Sequence, residues 1–384
     1  MRLMIVSHFL PFPALSGGKT RLFNLLKMLC VSNEVQFVHI DYDGKEDIEL
    51  SKKEFPGVIF KSVSDGLGYK RLPYYIFSLI GLGGLFVSQK IKRFIAQEIF
   101  SFNPDNVQFE FSQSAKFLPK GVKNSFLVIH ELRWVRMFRE ADYLNGVRYV
   151  VRKISAWLVK REELMMFKKF KTLICVSDKD KEAVKAFLPS KKIVSIPNGV
   201  DLETYRFHSL PPDGIKGVYF VGWFGNKQNI EALDFLLTKI ATRLPSGMSI
   251  KIFGLDLPKE LEKKISSIGG RYYGYVNEED FSLEVAGFIL VAPLFSGSGT
   301  RLKIIEALAR GNPVISSAIG AEGIDADDGE CLMICSKVDD YIGAIKKLTT
   351  NRDFCVNLIN KGRLLVEKNY DWVSIGLKNE KIYE

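Results

Sequence analysis

Residues 294–324, LFSGSGTRLKIIEALARGNPVISSAIGAEGI, concentrate the residue types that hold an anionic ligand. An apolar run, GFILVAPL, leads into the loop FSGSGT, and RLKIIEALAR then has helical periodicity until Gly311 stops it ahead of Pro313. Gly297 and Gly299 allow a ligand to approach the backbone closely, while Arg301 and Lys303 supply the positive charge that neutralises a leaving diphosphate. Glu306, about one and a half turns into the helix, is placed to accept hydrogen bonds from the vicinal hydroxyls of a sugar. The next apolar run ends in SSAIGAEGI, so a second glycine loop falls on the same edge.

A comparable turn opens the chain. RLMIVS runs into SHFLPFPALSGGKTRLFNLL, where Gly17 and Gly18 precede a helix beginning near Lys19. A glycine turn feeding a helix N-terminus exposes backbone N–H groups to an anion, and a diphosphate is the expected occupant. The tail GGKT mimics a nucleotide-binding P-loop, but that motif needs glycine where Pro13 stands. Further on, LVIHELRW puts His130 and Glu131 at the end of a strand, where a histidine can bond a substrate hydroxyl or shuttle a proton. Three D-x-D triplets, at Asp41/Asp43, Asp178/Asp180 and Asp325/Asp327, read as structural; the second opens a helix with Ser177 and Asp178 as caps.

The elements that must position these residues alternate along the chain. RLMIVS, EVQFVHI, GVIFKSV, DNVQFEF, SFLVIHE, TLICVS and KIVSIP fill the first half, followed by GVYFVGWF, MSIKIFG, RYYGYV, GFILVAPL, NPVISS and CLMIC. Continuous apolar runs separated by helical stretches predict parallel sheets with both faces covered. At 384 residues the chain exceeds the roughly 250–300 at which single cores stop growing, so two domains are expected. The proline pair Pro211/Pro212 with Gly214 punctuates the two blocks. The expected fold is therefore α/β: two Rossmann-like doubly wound domains facing across a cleft, with ligand sites in the loops at the strand carboxyl ends.

Composition narrows the partners. Lys and Arg (54) exceed Asp and Glu (44), giving a net charge of +10 that favours phosphates or an acidic membrane face. Cys30, Cys175, Cys331, Cys335 and Cys355 are scattered, mostly in apolar runs, and read as reduced and cytosolic. With only His8, His39, His130 and His208 beside them, no zinc set assembles, and no metal is expected. The N-terminus lacks the apolar core and cleavage site of a signal peptide, and the apolar stretch from Leu72 is interrupted short of the ~20 residues that a span needs. Two basic, aromatic segments, GYKRLPYYIFSLIGLGGLFVSQKIKRFIAQ and RYVVRKISAWLVKREELMMFKKFK, suit either an anionic bilayer surface or core-facing helices with solvated basic faces.

GSGTRLKIIEALARGNPVISSAIGAEGI, together with SIPNGVD at 195–201 and LICVSDKDK before it, resembles the retaining nucleotide-sugar glycosyltransferases of family 4, which have the GT-B fold. The likeness is greatest to the bacterial envelope-polysaccharide branch whose loop reads G-S-G-T-R-L-K, and it extends to NVQFEFSQSA near Glu110 and the closing YDWVSIGLKNEKIYE. The resemblance implies an N-terminal acceptor-side domain over 1–207, a nucleotide-sugar domain over 208–366, and a final helix, 367–384, crossing back to the first domain. It implies that Gly17 and Gly18 lie by the diphosphate, that His130 approaches the donor sugar, and that the loop Gly297, Gly299 and Thr300 lines the donor. Glu306 matches the second glutamate of the family's E-x7-E motif, which holds the nucleotide ribose. The first glutamate falls at Ser298, where this chain has a hydroxyl. The family's basic pair after the first C-terminal strand is reduced to Lys227 in FVGWFGNKQNIEAL, so Arg301 and Lys303 are expected to substitute for it.

The implied activity is transfer of a sugar from a nucleotide-diphosphate sugar to a saccharide or lipid-linked acceptor in cell-envelope polysaccharide synthesis. It is expected to be independent of metal or cofactor, with no role for nucleic acid, in a cytoplasmic protein that can lie on the inner membrane face. Preorganised donors at the departing phosphate supply the largest catalytic contribution in such chemistry. A sugar-nucleotide epimerase or phosphorylase, and a non-catalytic anion- or lipid-binding protein, remain alternative readings.

Overall fold

A computed structural model describes residues 1–14, 17–42, 48–64, 87–296 and 300–383. Its strands fall where the apolar runs predict. The first seven are β1 Arg2–Ser7, β2 Glu34–Ile40, β3 Ile59–Val63, β4 Asn106–Glu110, β5 Ser125–Ile129, β6 Thr172–Cys175 and β7 Lys192–Ser195. The remaining six are β8 Gly217–Val221, β9 Ser249–Phe253, β10 Arg271–Tyr272, β11 Phe288–Ala292, β12 Val314–Ser316 and β13 Met333–Ile334.

They form two sheets, ordered β3-β2-β1-β4-β5-β6-β7 and β10-β9-β8-β11-β12-β13, and every pairing within them is parallel. Burial on both faces explains the unbroken apolar runs. In β11, Ile289 and Val291 join one buried cluster while Phe288, Leu290 and Ala292 join the other, as side chains two apart share a face. In both sheets the strand order reverses at its middle, between β1 and β4 and between β8 and β11. Helices on either side of such a reversal lie on opposite faces, which leaves an open crevice beyond the strand carboxyl ends.

The chain separates into two compact units, one of residues 1–197 and 376–384, the other of residues 198–375. The first break precedes the proline pair because the intervening residues bond to the second unit. Val200 N–H donates to the Tyr370 carbonyl at 2.8 Å, Trp372 N–H to the Val200 carbonyl at 3.1 Å, and His208 N–H to the Arg310 carbonyl at 2.8 Å. The final residues return to the first unit: Tyr383 is buried there with its ring edge-on to Phe126 at 5.1 Å. Of the two basic aromatic segments, residues 68–86 lie outside the described residues. The part that follows forms the helix Gln89–Phe102, whose Ile91 and Ile95 enter the core, as expected of a core-facing helix. All five cysteines are free thiols, and all but Cys30 are buried.

One glycine fixes the crevice of the second unit. Gly254, just after β9, has φ of +130°, and a Cβ there would stand 1.8 Å from the carbonyl oxygen of Gly222, just after β8. Gly269 also has positive φ (+73°) but faces nothing within 4 Å. Gly269→Ala is expected to cost about 1–2 kcal/mol, the backbone penalty alone, whereas Gly254→Ala must also displace a backbone carbonyl and should cost clearly more. Urea unfolding of the two variants checks this; equal losses would contradict the close approach.

Candidate functional site

At the crevice of the second unit, the loop after β11 leads to the helix Leu302–Arg310. The helix points its N-terminus to the strand carboxyl edge, because a helix following a strand in a parallel sheet must run back antiparallel to it. Its first-turn N–H groups therefore face the crevice. Arg301 occupies the N-cap position, and Thr300 before it is buried, with its carbonyl accepting from Asn198 Nδ2 at 3.4 Å. The loop residues Gly297, Ser298 and Gly299 lie outside the described residues. The neighbouring loop after β12 is tied to the same edge: Ser316 Oγ donates to the Ala292 carbonyl at 2.8 Å and Ser317 Oγ to the Leu294 carbonyl at 2.5 Å. The described residues that follow β11 and β12 thus meet on one rim.

Lys303 leaves its own helix to reach the β8 loop. Its Nζ donates to Asn229 Oδ1 at 2.8 Å, lies 4.4 Å from the centre of the Phe220 ring, and would stand 3.1 Å from a Cβ on Gly222. Asn229 is held in turn by donating to the Trp223 carbonyl at 2.7 Å. Burial, and then the neighbouring Arg301 charge, push the Lys303 ammonium down to about 7. A lysine held there is poised to take up a proton when an anion arrives. Lys227, by contrast, opens the helix Lys227–Phe235 with its side chain exposed and paired to Glu231 at 3.2 Å. The cation seated against the β8 loop is Lys303, supplied from the other side of the crevice.

Glu306 is partly buried in the same helix and accepts from the Tyr205 hydroxyl at 3.3 Å. Burial raises its carboxyl above the usual range, opposed chiefly by Arg310. Arg310 is itself committed, donating from Nε and Nη2 to the two oxygens of Glu278 at 2.6 Å each. Arg310 also lies 4.6 Å over the Tyr205 ring, so Tyr205 is clamped from below while its hydroxyl orients Glu306. A groove of about 460 Å³, lined by Glu203, Arg206, His208 and Glu278 among others, sits at this far end of the helix rather than at the glycine rim.

The first unit has its own rim, built from the loops after β1, β4 and β5. Gly17 and Gly18 open the helix Gly17–Ser32. Gly18 is required by packing, since a Cβ there would stand 2.8 Å from the Phe111 ring. Phe111 follows β4 with φ of +68° and lays its ring flat on His130, with centroids 3.7 Å apart and planes 16° apart. His130 Nε2 lies 2.6 Å from Glu110 Oε2, with 10% of the histidine side chain exposed and 1% of the glutamate. Burial lowers the His130 pKa, with Glu110 opposing that shift and Arg21 adding to it. His8 packs edge-on to Phe111 at 5.0 Å, as part of an aromatic cluster.

Residue-type reasoning did not single out Glu110, Asn229 or Tyr205. Glu110 closes an apolar strand and carries no local signal of its partner; Asn229 and Tyr205 act on residues 74 and 101 positions away. Of the aspartate triplets, Asp178/Asp180 is confirmed as a helix start, with Ser177 Oγ accepting from Asp180 N–H at 3.1 Å. Asp43 lies outside the described residues. Among the described residues no three His, Cys, Asp or Glu side chains gather in a way that could hold a metal ion.

With this geometry in place, residues 215–351 match the family described as Glycosyl transferases group 1. An uncharacterized 44.6 kDa protein in the cps region of Klebsiella pneumoniae is 22% identical over 96% of each chain. Sucrose-phosphate synthase from Thermosynechococcus elongatus superposes with a TM-score of 0.76 at 15% identity, covering 100% of this chain and 98% of that one. Anabaena HepE in complex with UDP and glucose superposes at 0.69 and 12% identity, covering 100% and 99%. Such structural likenesses establish the fold, and the family match lies within the second unit. The chain carries a glycosyl transferases group 1 domain and is a glycosyltransferase of the two-domain GT-B fold.

Proposed function

We propose that the protein is a retaining transferase that moves a sugar from a nucleotide-diphosphate sugar to a saccharide or lipid-linked acceptor of the cell envelope. The observation that carries this reading is the helix N-terminus after β11, with Arg301 at its N-cap and Lys303 seated against the β8 loop, which offers donors for a diphosphate; Glu306, further along the same helix, is the expected acceptor for sugar hydroxyls. The HepE neighbour with UDP and glucose supports a nucleotide-sugar donor, and the cps-region relative supports an envelope polysaccharide.

In this mechanism the anomeric carbon–oxygen bond to the diphosphate breaks and the leaving phosphate keeps the electron pair. The helix N-terminus, Arg301 and Lys303 hold the charge that develops, doing the work a metal ion does elsewhere. The acceptor hydroxyl attacks on the same face and passes its proton to the departing phosphate oxygen, so no protein base is needed. Glu306 holds the ribose hydroxyls and His130 meets a hydroxyl of the transferred sugar. Ser298 takes the position where the wider family has a carboxylate, and Gly17, Gly18, Gly297, Gly299 and Thr300 supply backbone groups. A panel of nucleotide sugars in a thermal-shift assay identifies the donor, since bound donor raises the melting temperature. With that donor, free nucleotide should appear only when an acceptor is present; isomerised donor in its place would replace transfer with epimerisation.

Glu306→Ala removes hydrogen bonds to a charged group, worth about 1.5–3 kcal/mol, and should weaken donor binding roughly 10- to 100-fold. Undiminished affinity would overturn the ribose role. Lys303 adds a pH signature, because the donor's diphosphate diester keeps one charge state from pH 6 to 9 while the lysine changes. Bound anion raises the lysine pKa, so affinity is fullest below about 7 and declines as pH rises, by up to about tenfold per unit. Titration calorimetry should show this slope in the wild type and a flat profile in Lys303→Met.

We further propose that an anionic leaflet receives the first unit through the helix Gly146–Phe167, which presents Val147, Val150, Val151, Ile154 and Trp157 to solvent beside exposed Arg148 and Arg161. No helix among the described residues is long and apolar enough to cross a membrane. Flotation should occur with phosphatidylglycerol vesicles, fall with neutral vesicles and be lost in Ile154→Asp/Trp157→Glu. Flotation independent of lipid charge would remove the proposal.

A further inference from the structure

A buried chain of hydrogen bonds runs through the first unit from the C-terminal tail to His130. Asn379 Nδ2 donates to the Tyr383 hydroxyl at 3.0 Å, and that hydroxyl donates to Gln108 Oε1. Gln108 Nε2 donates to Glu110 Oε1 at 2.6 Å, and Glu110 Oε2 meets His130 Nε2 at 2.6 Å. Asn379, Gln108 and Glu110 are fully buried. Gln108 and Glu110 are two residues apart on β4 and so share a face.

The chemistry of the groups sets the direction of the chain. A carboxylate only accepts, so Gln108 must turn its NH₂ to Glu110 and its oxygen to Tyr383. Glu110 then calls for a proton on His130 Nε2, which leaves Nδ1 as an acceptor. Nδ1 lies on the side of Gly18, where a Cβ would stand 3.8 Å from it. The flat Phe111 ring fixes the imidazole plane. The charged groups facing His130 are Glu110 from β4, Arg21 from the helix Gly17–Ser32 and Glu131 beside it. Arg21 is itself buried and donates from Nη1 to the Pro197 carbonyl at 2.7 Å.

We propose that Tyr383, acting through Gln108 and Glu110, is a positioning residue for His130: the tail of the chain holds the imidazole with its proton on Nε2, so that Nδ1 is presented as an acceptor to a sugar hydroxyl. The inference rests on the reading of His130 as the residue that meets the sugar. Loss of the Tyr383 hydroxyl frees the Gln108 amide, weakens its donation to Glu110 and leaves more negative charge for the imidazole. His130 should then become more basic and its tautomer less defined.

The test reads His130 directly and needs no substrate, so its outcome is separate from that of any transfer assay. In full-length protein labelled with ¹⁵N-histidine, the His130 signal is identified by its loss in His130→Asn. Wild type should show the Nε2–H tautomer. Tyr383→Phe keeps the ring against Phe126 and should raise the titration midpoint by about half a unit or more, as should Gln108→Leu. Glu380→Ala, which loses the tail contacts to Ser32 and Asn33 but none in the chain, should leave the midpoint unchanged. A tail with a merely structural role would lower the melting temperature in all three variants without moving His130. An unchanged midpoint and tautomer in Tyr383→Phe overturns the proposal, and that variant decides alone if Gln108→Leu does not fold.

Discussion

Two strands that run parallel in one sheet cannot be joined by a hairpin, so every pairing in these sheets demands a crossover, and the helices of those crossovers must cover both faces. Because the order of each sheet reverses at its middle, the helices after β1 and β4, and after β8 and β11, leave to opposite sides. The crevice is therefore a by-product of topology, formed before any side chain is chosen. Each sheet then sets loops and helix N-termini around its own crevice, and each rim carries charged groups.

Those charged groups share a second property, which is burial. Lys303 on one rim and His130 on the other are both made less basic by desolvation, and each is held by a polar partner on a different element. A buried ionisable group without a ligand is costly unless it is paired or neutral. Placing Lys303 against Asn229 and the Phe220 ring keeps a cation site ready without filling it with a permanent carboxylate. Glu110 serves the opposite need, since His130, Gln108 and the charge of Arg21 together satisfy a carboxylate in the core.

Most of the fold was legible because its signal is local. Each strand is a short apolar run, so the strands and the α/β class follow from neighbouring residues. The helix Leu302–Arg310, with Arg301 at its N-cap and Lys303 and Glu306 within it, was legible for the same reason. The unit boundary was less so: Pro211 and Pro212 mark a turn, but Asn198, Val200 and Tyr205 are drawn into the second unit by partners a hundred or more residues away. Lys227 stood out by its place after a strand, yet the structure pairs it with Glu231 in solvent.

By itself the sequence determined the elements, their alternation and the chemical character of the segment that follows β11, since these depend on periodicity and residue type over a few positions. Only the tertiary structure decided which cation reaches the β8 loop, which hydroxyl holds Glu306 and what stands behind His130. Those pairings join residues brought together by strand order, and the tail shows the extreme case. Tyr383 and Gln108, 275 positions apart, meet in a buried hydrogen bond because β4 is central in its sheet and residues 376–384 pack within the first unit.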